Sequence, residues 1–179
     1  MDLSHACHHH SDLNHISEED YCEALKQLKK EHGPLRQQMD GFYNQAKAIS
    51  NDNTIENWNE PIHELYQTVI SFVKDLDPHS AREEDTLFPM LAKHIGYEGG
   101  PIAVMEYEHD LAKENIRAFI ELVNETEHVT KEIAMTLINH LHVAYTTLVN
   151  HFAKEEQILF PMAEKALSQE EKDSLLALF

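Results

Sequence analysis

The chain has 179 residues, enough for one domain with a sizeable hydrophobic core. With 14 Lys and Arg against 32 Asp and Glu it carries a formal charge of −18. That balance argues against nucleic acid and anionic membrane surfaces as partners, and it would concentrate cations nearby. Only 5 Gly and 6 Pro favour helices joined by few long loops. No stretch approaches the length of a transmembrane helix, and no basic-then-apolar leader opens the chain, so cytoplasmic residence is the expectation. Cys7 and Cys22 are too few for a disulfide framework and lack the spacing of a thiolate zinc site. The 14 histidines therefore need an explanation.

Residues 1–16 hold Cys7, His8, His9, His10 and His15 and are expected to form a flexible His-rich segment ahead of one helical domain over 17–179. Ser17, followed by Glu18, Glu19 and Asp20, reads as an N-cap with acids in the first turn of the first helix. Tyr21, Leu25, Leu28, His32, Leu35, Met39, Phe42, Ala46 and Ile49 then recur at helical spacing as one apolar stripe. His32 sits mid-stripe, and Gly33-Pro34 directly after it predicts a bend that positions it. A polar connection over 50–59 leads to Pro61, in the first turn of a second helix expected to reach about Lys93. Pro78 predicts a distortion of that helix beside His79. Gly96, Gly99 and Gly100 mark a turn. Pro101 opens a third helix, whose stripe is Ile102, Met105, His109, Ala112, Ile116, Phe119 and Val123 and whose end is expected near Glu127. The fourth helix begins near Thr130. Ser168 with Glu171 reads as a capping box for a short last helix that serves packing or an oligomer contact.

One stretch occurs twice. HSAREEDTLFPM over 79–90 and HFAKEEQILFPM over 151–162 agree at eight of twelve positions. Each copy places a His four residues before a Glu, His79 with Glu83 and His151 with Glu155, which puts both on one helix face. That face is apolar: Leu65, Val69, Phe72 and Leu76 precede His79, and Leu87 and Met90 follow. Leu137, Ala144 and Leu148 precede His151, and Leu159 and Met162 follow. A carboxylate on a buried stripe is costly unless neutralised, and no Lys or Arg lies on either stripe. A single such pair most often faces solvent. A duplicated pair on apolar faces points to a shared positive charge, which a metal pair supplies.

With one His on helices one and three and a His/Glu pair on helices two and four, an up-down four-helix bundle brings six candidates together: His32, His79, Glu83, His109, His151 and Glu155. Six are too many for one tetrahedral zinc and suit two metals; the donors fit iron, manganese or zinc. If Glu83 and Glu155 each bridge, every metal receives two His and two carboxylate oxygens. A bridging oxide or hydroxide would add a fifth donor and leave one position open for a small molecule. Glu106, His63 and His140 are further ligand candidates, whereas Glu84 and Glu156 point off the stripe, towards solvent or behind a ligand.

His32, the pair His79 and Glu83, His109, and the pair His151 and Glu155, with Leu-Phe-Pro after each pair, resemble the hemerythrin-like family, also called HHE cation-binding domains. The resemblance spans roughly residues 18–165 and implies an all-α, up-down four-helix bundle holding two iron ions as a non-haem, oxo- or hydroxo-bridged di-iron centre. It implies a small diatomic ligand (O2 or NO) or peroxide as partner, in a monomer or homodimer. Oxygen carriers of this family have a further His one turn before the third-helix ligand; Met105 stands there, which brings the chain nearer the bacterial branch that includes iron–sulfur cluster repair proteins. The readings to be separated are binding or sensing of O2 or NO, iron–sulfur cluster repair with iron donation or redox turnover, and a metal-free structural bundle.

Overall fold

A computed structural model describes residues 16–179. The expected segment 1–16, with Cys7 and its histidines, lies outside the described residues except for Ile16. The architecture is all-α, and no strand occurs among the described residues. Helix α1 is Glu23–Asn51. Helix α2 (residues 59–95) is one rod made of Asn59–Arg82, a π turn at Glu83–Leu87, and Phe88–Ile95. Helix α3 is Pro101–Glu125. Helix α4 (residues 131–166) repeats the plan of α2: Lys131–Lys154, a π turn at Glu155–Leu159, and Phe160–Ala166. The short α5, Gln169–Ala177, closes the chain behind the capping box of Ser168 and Glu171.

Three expectations shift. Ser17 caps only a single 3-10 turn, Glu18–Asp20; Tyr21 and Cys22 are extended, and α1 starts at Glu23. The cap signal acts locally, while the burial of Tyr21 and the Cys22 N–H bonded to Glu164 Oε2 (2.7 Å) hold the next residues out of helix. Helices α1 and α2 run on through Pro34 and Pro78; the helical irregularity in α2 comes one turn after Pro78, at Glu83–Leu87. The stripes beyond the repeated Glu also change phase. Leu87 and Leu159 are buried as expected, but Met90 and Met162 are only partly so, and Phe88, Leu91, Phe160 and Ala163 go inside instead. In the π turn the Phe88 N–H reaches Glu83 O, and the Phe160 N–H reaches Glu155 O, five residues back. Each turn thus absorbs one extra residue, and the inward face moves by one position.

The motif Leu-Phe-Pro explains why. A helix-interior Pro lacks an N–H and its ring meets the carbonyl four residues back. After a π turn the α-helix starts afresh, and Pro89 and Pro161 fall in its first turn, where no donor is required.

Successive helices run in opposite directions, and their buried faces form two apolar layers. One joins Leu35, Met39, Phe42, Phe72, Leu76, Ile116, Phe119, Leu148 and Phe152. The other joins Leu25, Leu28, Leu87, Phe88, Met105, Leu159, Phe160 and, from α5, Leu175. The six polar candidates lie between these layers in every helix, all of them buried. At the far end Asn59 ties the α3–α4 loop, accepting from Val129 N–H (3.0 Å) and donating to Glu127 O (2.9 Å).

Candidate metal centre

His32, His79, Glu83, His109, His151 and Glu155 are each at most 2% exposed. They form two groups, each with candidate ligand atoms within 4.8 Å of one another. One group is His32, His79, Glu83 and Glu155; the other is His109, His151 and the same two carboxylates. Glu83 Oε1 lies 3.5 Å from His79 Nε2, and its Oε2 lies 3.5 Å from His109 Nε2. Glu155 Oε2 lies 3.2 Å from His32 Nε2, and its Oε1 lies 3.2 Å from His151 Nε2. Each carboxylate therefore presents one oxygen to each histidine pair.

The outward ring nitrogens are held by carboxylates on neighbouring helices. His32 Nδ1 lies 2.7 Å from Glu156, His79 Nδ1 2.8 Å from Glu31, and His109 Nδ1 2.5 Å from Glu84. His151 Nδ1 sits 3.4 Å from Glu108, without a hydrogen bond. Every one of these carboxylates also meets a base: Arg36 with Glu156, Arg82 with Glu31, Lys113 with Glu84 and Lys154 with Glu108. Burial opposes ionisation of Glu31, but the bonds from His79 and Arg82 outweigh it and hold its carboxyl down at about 2. Glu156 is likewise lowered to about 2, burial again being outweighed by His32 and Arg36. Glu84 is lowered to about 2 chiefly by the His109 hydrogen bond. An ionised carboxylate only accepts, so Nδ1 of His32, His79 and His109 carries the proton. For neutral rings the Nε2 lone pair then faces the bundle interior, the tautomer a metal requires.

Whether these residues fit a cation pair is decided by their unpartnered atoms. Nε2 of His32 and His79 and both oxygens of Glu83 and Glu155 are buried without a hydrogen-bond partner. Burial pushes the Glu83 carboxyl well above the usual carboxylate range, and the Glu155 charge adds to this. Burial opposes Glu155 too, but His151 and His32 outweigh it and hold Glu155 well below that range. The pair thus resists carrying two negative charges without a counter-charge. Two cations would ionise both and satisfy these six inward atoms, so the donor set fits.

The further candidates lie elsewhere. Glu106 accepts from Tyr97 near the surface, His63 stacks on Tyr66, and His140 pairs with Asn115 at 3.0 Å. Met105, one turn before His109, is buried in the apolar layer. Glu84 and Glu156 take the place behind a ring that was one of their two expected positions. Sequence reasoning missed the same role for Glu31 and Glu108 and the basic partners of all four. The signal was present: Glu directly precedes His32 and His109, and a base follows each His by four residues (Arg36, Lys113) or three (Arg82, Lys154).

Comparisons with known proteins agree with this geometry. Residues 23–172 match the model of the hemerythrin HHE cation-binding domain. The iron–sulfur cluster repair protein YtfE of Salmonella typhimurium (strain LT2) is 34% identical over 100 residues, 50% of this chain and 42% of that relative. The proteins of the same name from Salmonella schwarzengrund and Salmonella paratyphi B are 33% identical over the same shares. The match thus spans less than half the length of those relatives. No described helix is long and apolar enough to cross a membrane. With the domain model covering most of its length and a buried His/Glu cluster between its apolar layers, the chain belongs to the hemerythrin HHE cation-binding family.

Proposed function

We propose that the chain is a non-haem di-iron protein that binds or senses a small ligand such as O2 or NO. His32 and His79 would hold one iron, His109 and His151 the other, and Glu83 and Glu155 would be shared between them. The observation that carries this reading is the pair of buried carboxylates whose unpartnered oxygens each face both histidine pairs. Two imidazoles and two carboxylate oxygens per metal would leave positions open for a small ligand. When bound, such a pair supplies open coordination positions and electrons to a diatomic ligand or peroxide.

The protein's own residues set the conditions. Four neutral imidazoles leave more positive charge on the metals than carboxylates would, which favours ligand binding over strongly oxidising chemistry. Leu87, Phe88, Leu159 and Phe160 on one side, and Leu35, Leu76 and Phe152 on the other, exclude water and large solutes. The carboxylates behind His32, His79 and His109 fix the tautomer and angle of those three rings.

A second reading, iron–sulfur cluster repair by iron donation or redox turnover, is favoured by the printed names of the relatives and by Met105 in place of a fifth imidazole. One experiment separates the readings: reconstitution with ferrous iron under nitrogen, metal analysis, and an optical spectrum before and after O2 or NO. Two irons per chain with a reversible charge-transfer band support carriage or sensing. Two irons with irreversible oxidation and easy iron loss support repair. A chain that retains no metal and is as stable after chelation as before would be a structural bundle, and the di-iron reading would fall.

A further inference from the structure

The two histidine pairs share their bridging carboxylates but not the quality of their support. We propose that the His109/His151 position is the exchangeable one: its metal leaves first, and Lys113 and Lys154 are positioning residues that set how fast. The proposal rests on the two-metal reading above and adds an order to it.

Three observations carry it. The carboxylates behind His32 and His79 are held by guanidinium groups, Arg36 at 2.7 Å from Glu156 and Arg82 at 2.6 Å from Glu31. Those behind His109 and His151 are held by ammonium groups, Lys113 and Lys154. A guanidinium is a planar, preorganised fork, whereas an ammonium is a hydrated point charge on a flexible stem, so the lysine-held carboxylates are less rigidly oriented.

The rings are also packed unequally. His32 stacks on Phe152 (4.3 Å between centroids, 21°) and on Phe160 (5.6 Å, 24°), and His79 meets the Phe152 ring edge-on at 5.7 Å. Arg36 and Arg82 lie in turn over the rings of Phe152 and Phe179. His109 meets Phe88 at a tilt of 36°, and His151 meets Phe152 at 52°; neither is stacked on a phenyl ring among the described residues.

Finally, His151 is the one ring of the four whose outward nitrogen lacks a hydrogen bond among the described residues. Its Nδ1 and the facing Glu108 Oε2, 3.4 Å apart, are both buried and unpartnered. A ring whose outward nitrogen makes only a 3.4 Å ionic contact is the least firmly oriented of the four, and loss of the partner behind a metal-binding His weakens binding by about 10–100-fold. Ligand departure therefore begins at His151.

The test uses the full chain loaded with ferrous iron under nitrogen, then mixed with excess colorimetric ferrous chelator. Two phases of about one iron each are expected. Lys113→Arg combined with Lys154→Arg should slow the fast phase roughly tenfold and leave the slow phase unchanged. A merely structural role for the lysines predicts no slowing. Glu31→Gln should accelerate the slow phase alone, and thermal melts of the metal-free variants show whether each still folds. Release of both irons in one phase, or a fast phase that answers to Glu31→Gln and ignores the lysines, overturns the order while sparing the two-metal reading. A chain that binds no iron, or only one, defeats both.

Discussion

The two apolar layers that flank the metal centre are built by the same four long helices, yet only one of them keeps the plain helical period. Below the histidines, Phe72 and Leu76 on α2, and Ala144 and Leu148 on α4, turn inward one helical turn apart. Above them, neighbours go inside together, Leu87 with Phe88 and Leu159 with Phe160, all fully buried. On an unbroken α-helix Phe88 and Phe160 would fall about 140° round from Glu83 and Glu155, and the extra residue of the π turn brings them inside. The bundle stores its irregularity directly beyond Glu83 and Glu155, with a Pro to restart each helix. The lower layer supplies stability, whereas the upper layer also has to aim Glu83, Glu84, Glu155 and Glu156 in two directions each.

The comparison is broken most completely by removing the seam between the layers. Glu83→Ala and Glu155→Ala are each expected to lose both metals, since either carboxylate serves both histidine pairs; metal analysis after reconstitution checks this, and retention of two irons would refute bridging. Next comes a matched pair of cavities. Phe72→Ala in the lower layer and Phe88→Ala in the upper should each destabilise by about 3–5 kcal/mol. Only Phe88→Ala should also weaken iron binding, because its ring lies 5.6 Å from the His109 ring while Phe72 packs on Phe42. Denaturant melts with and without iron separate the two effects.

A smaller effect is expected from erasing one π turn. Deletion of the exposed Asp85 together with Pro89→Ala restores an α-helix that still turns Leu87, Phe88 and Leu91 inward. The fold should survive, while the Glu84 bond to His109 is lost and iron affinity falls about tenfold. An unchanged affinity would mean that the π turn serves packing alone. The mildest test is pH. Glu31, Glu84 and Glu156 are held at about 2, below their ordinary 4.5. A lowered carboxyl stabilises the fold fully above its unfolded value and ceases to do so as pH falls through its folded one. The urea midpoint of the metal-free chain should therefore decline from about pH 5 towards pH 2, and Glu84→Gln should flatten part of that slope. A midpoint constant over that range would contradict it.

The helices and the six inward polar residues were legible because both are periodic signals that end at Glu83 and Glu155. Up to those residues, helical spacing holds, and His32, His79, His109 and His151 could be placed on one axis from position alone. Beyond them the count fails by one, which is why Met90 and Met162 were expected inside where Leu91 and Ala163 go. Pro89 and Pro161 carried the clue, but a Pro near a helix end has several ordinary explanations. The groups behind the rings were harder still. A Glu that serves a His on another helix has no fixed sequence separation from it, as His32 with Glu156 shows.

The cross-bracing of those carboxylates bears on how the chain assembles. Helices α1 and α2 form one hairpin and α3 and α4 another, joined through the turn with left-handed Gly96 and Gly99. His32 leans on Glu156 and His109 on Glu84, each from the opposite hairpin, and each histidine pair faces a Glu from both. Neither hairpin by itself contains a finished cation site. Capture of a metal pair would consequently be a late event in folding, a latch that shuts only after the two halves of the molecule have met.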